Sequence, residues 1–255
     1  MSGTSSRVVA VLDALSAPDA SGLTAQEVVE RAGLPASTGY RILTELQELG
    51  LVHRGAERRL IANFSFGRRL HCPGLEPEVL AQACARLSDE LTAAAEIVVL
   101  SGHNMLWHIV QQHPEQAIRL RAFPGFTRGS YELDSISRLA LAHRPIEALE
   151  KSWDISAFYT TGVHRRSLDW PEARQMITAV DLAGMQHDVM GNAKGVRRYC
   201  VAIHGPDREF VCLLTVAEAA TPLRDEAQHV ANVRAHLMSR KSAIENSFSS
   251  PAKAG

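Results

Sequence analysis

The sequence is sparing in several respects, and each shortage excludes something. It has four cysteines, Cys72, Cys84, Cys200 and Cys212, in 255 residues. They are too few and too scattered for a disulfide framework, and no Cys-x-x-Cys pair is available for a structural zinc, so a reducing cytoplasm is the expected compartment. No apolar run approaches the roughly 20 residues needed to span a bilayer. Runs such as residues 97–100 and 8–12 are short, and the second, with one Arg before it and Asp13 after it, is poor signal-peptide chemistry. Neither charge sign dominates: 27 Lys plus Arg face 28 Asp plus Glu, a net charge of −1 that on average gives no hint of a nucleic-acid partner. No Gly-x-Ser-x-Gly elbow surrounds Ser101, Ser130 or Ser135, so nucleophilic catalysis has no signature. His103, His108 and His113 recur every five residues, a spacing that alternates faces on a hairpin and cannot gather a metal, and no cofactor motif is present. What remains is an ordinary globular composition, 45% hydrophobic, 22% charged and 5% aromatic, long enough for two domains.

The first 71 residues read as three helices and a hairpin. Val8, Val11, Leu12 and Leu15 recur at helical spacing, with Ser5 and Ser6 ahead of them as N-caps. Thr24 followed by Glu27 is a capping box for a second, short helix that Gly33 ends. Ser37 or Thr38 is expected to cap a third, whose Ile42, Leu43, Leu46 and Leu49 form an apolar stripe stopped by Gly50. Two helices joined by a short Gly-containing turn make a helix-turn-helix. Residues 51–54 and 58–61, flanking a turn at 55–57, predict a β-hairpin wing. Residues 62–77 are a Gly/Pro-rich boundary expected to hold a short linker helix.

The remainder alternates helix and strand signals. Helix is expected at 79–93, 131–143, 146–153, 170–183 and from Pro222 onward. Strand is expected at 96–101, 105–111, 117–122, 185–188, 196–203 and 210–216. The order fits an α+β chain whose second domain is a central antiparallel sheet with helices on its faces. Expected boundaries are 1–71, 72–246 and a disordered tail at 247–255.

Local charge differs from the average. Between Ser37 and His71 stand six Arg and no Lys against three Glu, a balance of +3 on the third helix, wing and linker. Recognition of a major groove needs a helix with short polar and basic side chains at its N-terminus. Residues 35–41 (Pro-Ala-Ser-Thr-Gly-Tyr-Arg) supply that face, with Gly39 leaving room for close approach. Ser37, Thr38, Tyr40 and Arg41, with Thr24 at the start of the second helix, are the candidate groove and backbone contacts. Arg54, Arg58 and Arg59 on the wing would hold phosphates or a minor groove.

Residues 5–67 resemble the winged helix-turn-helix of the IclR family of bacterial transcription regulators, through Leu34-Pro35-Ala36-Ser37-Thr38-Gly39-Tyr40-Arg41 and the Leu49-Gly50-Leu51-Val52 ending. Ala36 stands where the family often has a basic residue. The resemblance extends more weakly to about residue 245 and implies a GAF-like domain that binds a small-molecule effector, with dimers through the first helix and tetramers through the second domain. Residues 184–188 and 195–197 are similar to the family's pocket loop, and Thr215 to a pocket-facing hydroxyl. Ser137-Arg138-Leu139-Ala140 and Arg198 depart from the family pattern, so ligand identity does not transfer.

Leu133, Ser137, Asp188, Arg198, Cys200 and Thr215 are the candidate effector-contacting residues. Arg197 and Arg198, adjacent on a strand, must face opposite sides. One reading has a buried Arg198 that needs an anion, for which a carboxylate effector is a natural partner, so that Arg198→Ala abolishes effector response. The other has both as surface charges paired with Asp188 or Glu209. The expected function is therefore an effector-controlled regulator that binds double-stranded operator DNA. A catalytic second domain, or an interaction scaffold that has lost DNA binding, is the alternative.

Overall fold

Local sequence signals set most helix ends. The computed structural model describes residues 4–16, 22–55, 59–63, 74–129, 131–162 and 164–248. The chain divides into two compact units, Met1–Arg68 and Arg69–Gly255.

In the first unit, α1 (Thr4–Leu15), α2 (Ala25–Arg31) and α3 (Ala36–Glu48) precede the antiparallel strands β1 (Val52–Arg54) and β2 (Leu60–Ala62). The capping box forms: Thr24 Oγ1 accepts the Glu27 amide, and the Glu27 carboxylate accepts from the Thr24 amide. Gly33 and Gly50 close their helices with positive φ, 61° and 70°. Two expected caps are not caps. α1 starts at Thr4, which puts Ser5 and Ser6 inside its first turn. α3 starts immediately after Pro35, whose fixed φ of −57° and whose carbonyl, accepting the Thr38 and Gly39 amides, initiate the helix, so Ser37 and Thr38 lie within the first turn. Val11, Leu12, Leu15, Val28, Ile42, Leu43, Leu46, Val52 and Leu60 form the core. Gly39 faces inward: a Cβ there would lie 2.4 Å from the Val29 Cγ2, so the missing side chain serves the α2–α3 crossing rather than approach to DNA.

In the second unit, six antiparallel strands lie in the order β5-β4-β3-β8-β7-β6: β3 (Ala94–Ser101), β4 (Asn104–Gln111), β5 (Thr127–Gly129), β6 (Gln186–His187), β7 (Val196–His204) and β8 (Phe210–Ala219). β3 and β4 are joined by a two-residue turn, Gly102-His103, with Gly102 at φ 59°. Side-chain alternation gives the sheet two different faces. Ile97, Tyr199, Val201, Ile203, Cys212, Leu214 and Val216 pack with α4 (Pro77–Leu91) and α8 (Glu226–Asn246). Val98, Met105, Trp107, Cys200, Ala202 and Leu213 pack with α5 (Ser135–Ala142). A third cluster, with Leu133, Leu149, Phe158, Leu168 and Ile177, unites the segment holding α6 (Ile146–Ser152) and α7 (Trp170–Thr178).

Residues 117–122 are not a strand. The Leu120 amide and carbonyl are satisfied by the Gln112 side chain, which replaces a neighbouring strand. The last helix begins at Glu226 rather than Pro222, because Asp225 provides the cap through the Gln228 amide. Helices α5 and α7 are shorter than their apolar patterns, stopping at Ala142 and Thr178. The expected linker helix and most of the tail fall at residues 64–73 and 249–255, outside the described residues. Of the tail, Ser247 lies at the end of α8 and Phe248 packs against the α4/α8 core rather than standing free. No helix among the described residues is long and apolar enough to cross a membrane.

A polar chain runs from the end of α5 past the end of β7 to α8. His143 Nδ1–H donates to the Leu139 carbonyl, and its Nε2 accepts from His204 Nε2 at 3.0 Å. His204 Nδ1 in turn accepts from Lys241 Nζ at 3.3 Å, which also bonds Glu245. Burial holds His143 below the usual histidine range, aided by His204 and Lys241 and opposed by the Leu139 bond. Burial also lowers His108 and His187. Because the folded state resists protons that an unfolded histidine takes up near pH 6.5, stability is full above that pH and declines as pH falls through and below it. The urea midpoint is expected to drop between pH 7.5 and 5.5, above the carboxylate range. In His143→Gln the drop is smaller, whereas a midpoint that is flat or rises on acidification contradicts this assignment.

Candidate functional site

Two sites emerge, one in each unit. On α3 the residues not used in the core share one face: Ser37, Tyr40, Arg41 and Thr44 are exposed at i, i+3, i+4 and i+7, and Thr38 is half-buried beside them. Tyr40 is 45% exposed, which is unusual for an aromatic ring without a partner surface. Arg41 bonds Glu45 at 2.6 Å, an exposed pair one helical turn apart that contributes little to stability and is readily exchanged for a phosphate. Thr44, whose hydroxyl donates to the Tyr40 carbonyl, was not singled out by the sequence pattern, although its spacing from Tyr40 and Ser37 gives it away. Thr24 is committed to its capping box. On the wing, Arg54 is exposed, Arg59 donates to the Gly22 carbonyl at 2.8 Å, and Arg58 lies outside the described residues. Arg54 is thus an open candidate, while Arg59 ties the wing to the segment before α2.

The second site is a cavity of about 410 Å³ on the α5 side of the sheet, walled by Trp107, Ile118, Leu120, Ala122, Phe126 and Val196, with Arg119, Arg121, Arg128, Asn192, Lys194 and Arg198 among them. Its floor is a buried ionic cluster. Glu96 on β3 is completely buried and receives Arg198 Nε at 3.1 Å from β7 and the Thr215 hydroxyl at 2.9 Å from β8. The strand register brings these three together, since Glu96 pairs with Thr215 and Thr215 with Cys200. At the other end, Arg128 bonds Asp134 at 2.8 Å and Ser137 at 3.1 Å. Burial disfavours the Asp134 carboxylate, but Arg128 beside it more than offsets this and holds the group below the usual carboxylate range. The guanidinium carbons of Arg128 and Arg198 each lie 5.7 Å from the Trp107 ring centre.

The effector candidates fare differently. Arg198 lines the cavity. Thr215 and Cys200 are fully buried beneath it, and burial drives the Cys200 thiol far up. Ser137 supports Arg128. Asp188 receives the Ser135 amide and Arg138, and lines only a narrow side cleft shared with Asn192 and Arg198. Leu133 belongs to the α6/α7 cluster and not to the cavity. Arg197 and Arg198 do face opposite sides, but neither pairs with Asp188 or Glu209: Arg197 is buried against Glu218 and the Thr221 carbonyl. Arg198 is half-buried and already has its anion, Glu96, so it does not require a ligand's carboxylate. Glu96 was missed because a charge inside an apolar strand gives no sequence clue to its cross-strand partners.

With this geometry established, comparison with known proteins is informative. Residues 5–56 match the IclR helix-turn-helix domain. No curated protein matches the sequence. An IclR homologue from Microbacterium hydrocarbonoxydans, complexed with 4-hydroxybenzoate, superposes with a TM-score of 0.63 at 20% identity, covering 96% of this chain and 99% of that one. An IclR-type regulator from Alicyclobacillus acidocaldarius gives 0.63 at 15% identity over 98% and 100%. The Thermotoga maritima IclR gives 0.60 at 15% over 96% and 98%. The N-terminal unit therefore carries an IclR helix-turn-helix domain, and the chain as a whole has the fold of IclR-family transcription regulators.

The ionic floor yields a stability prediction. Glu96→Ala strands the Arg198 charge and is expected to cost about 3–5 kcal/mol in urea unfolding. Thr215→Val removes one hydrogen bond at nearly constant volume and is expected to cost about 1 kcal/mol. Equal costs would show that Glu96 is not the centre of the cluster.

Proposed function

We propose that the protein is a cytoplasmic DNA-binding transcription regulator whose operator affinity is set by a small-molecule effector in the cavity of the second unit. The observation that carries the reading is the exposed Ser37, Tyr40, Arg41 and Thr44 face of α3, inside a segment matching the IclR helix-turn-helix domain. Arg41 and Tyr40 would read base edges in a major groove, and Ser37 and Thr38 would hold adjacent phosphates, with Thr24 fixing the start of α2 through its capping box. Arg54 would grip the backbone or the minor groove, with Arg58 nearby in sequence a further candidate, while Arg59 holds the wing to the segment before α2.

One short recognition helix buries too little surface for useful specificity, so the functional species would be a dimer, or a tetramer of two dimers, on half-sites about one helical turn apart or a multiple of it. The sheet cavity would serve as the effector site. The solved neighbour bound to 4-hydroxybenzoate supports a carboxylate-bearing effector. Binding would favour one arrangement of the paired DNA-binding units over another and shift their populations, with no chemistry on the ligand.

The test is the salt dependence of full-length protein binding to random-sequence duplex DNA between about 50 and 200 mM salt. Several arginine–phosphate contacts make affinity fall steeply, and Arg54→Ala lowers the log–log slope by about one. Arg41→Ala weakens binding to a duplex selected from a random library more than binding to random sequence. A flat salt response contradicts the regulator and favours a protein-interaction role for this unit. Turnover of a bound metabolite would instead favour a catalytic second unit.

A further inference from the structure

The polar side chains of the cavity wall share one property: they donate hydrogen bonds and do not accept them. Five are cations, Arg119, Arg121, Arg128, Lys194 and Arg198. Among the described residues of the wall the one side-chain acceptor is the Asn192 amide oxygen, and it is already engaged by the Lys194 and Val196 amides at 3.0 and 3.1 Å. That bonding fixes the amide orientation and leaves the Asn192 Nδ2 as a further donor. Trp107 is 1% exposed, and its indole Nε1 is buried with no hydrogen-bond partner. Arg128 Nε is buried and unpartnered as well.

The charges are unbalanced too. The carboxylates that reach the wall's cations are Glu96 on Arg198 and Asp134 with Glu132 on Arg128, at 3.1, 2.8 and 3.8 Å. Arg119, Arg121 and Lys194, all exposed, pair with no carboxylate among the described residues. Five cations set against three carboxylates leave an excess of two positive charges around a concavity whose other walls are Trp107, Ile118, Leu120, Ala122, Phe126 and Val196. Low-dielectric walls focus such a field on whatever enters.

Building on the effector reading above, we propose that the cavity selects an organic dianion: an apolar body carrying two acidic groups whose oxygens only accept. The inner arginines receive one group and Arg119, Arg121 or Lys194 the other. A zwitterionic amino acid is disfavoured, because its ammonium meets no free side-chain acceptor and faces the cationic excess. A monocarboxylate satisfies only half of the site.

The test is calorimetric titration of the full-length protein at low salt with probes that share a benzene ring: benzoate, isophthalate, phenyl phosphate at pH 8, and phenylalanine. At least one dianion is expected to bind about tenfold tighter than benzoate, with phenylalanine weakest. Comparing isophthalate with phenyl phosphate decides between dicarboxylate and phosphomonoester. The dianion preference should shrink with added salt and fall toward unity in Arg121→Gln/Lys194→Gln, two exposed substitutions that leave the fold intact, with benzoate affinity little changed. Benzoate binding as tightly as both dianions, or no dianion binding at millimolar concentration, overturns the proposal. Dianion selectivity without any change in DNA affinity would leave the charge argument standing and count against the effector role alone.

Discussion

The second unit is organised around one ionic contact, the buried carboxylate of Glu96 held by Arg198 and Thr215. It joins β3, β8 and β7 at a point where the sheet would otherwise be apolar. Burying a carboxylate is costly unless it is paired and hydrogen-bonded, and here it is both. The same contact decides what the cavity can recognise. By neutralising Arg198 from below, Glu96 removes it as the principal anion receptor and passes recognition to the cations at the rim. The sheet face that holds this cluster is the one α5 covers. The opposite face packs mainly aliphatic residues against α4 and α8 and carries its own polar group, Arg197 and His229 on Glu218.

The first unit is governed by packing instead. Gly39 lets α3 approach Val29 on α2, and the aliphatic stripe of Ile42, Leu43 and Leu46 fixes the rotation of α3. Ser37, Tyr40, Arg41 and Thr44 are outward for that reason. A side chain at residue 39 would force the helices apart and turn this face along with them.

Periodicity and caps were enough to read the helix-turn-helix, because its elements are short-range: a capping box, two glycine stops and an apolar stripe. The sheet's two-faced alternation was legible too. Three things were not. The segment 117–122 has a strand's composition, yet its backbone is satisfied by the Gln112 side chain, a contact that sequence spacing does not signal. Asp225 rather than Pro222 starts α8, since two plausible starts stood three residues apart. Most consequentially, the partners of Arg198 depend on strand register, which placed Glu96 some hundred positions away beneath it; a carboxylate ligand was inferred for a charge that the fold already neutralises. Leu133, read as a pocket residue, belongs to a separate helical cluster for the same reason: its position is set by long-range packing.

The central claim is that the cavity and the DNA-binding face are energetically coupled. Coupling between binding sites is reciprocal. The decisive measurement is therefore the affinity of the full-length protein for a duplex selected from a random library, with and without saturating isophthalate or phenyl phosphate, together with the affinity for that dianion with and without saturating duplex. The account predicts that both affinities change by the same factor, about fivefold or more. Two affinities that are each indifferent to the other ligand would contradict it.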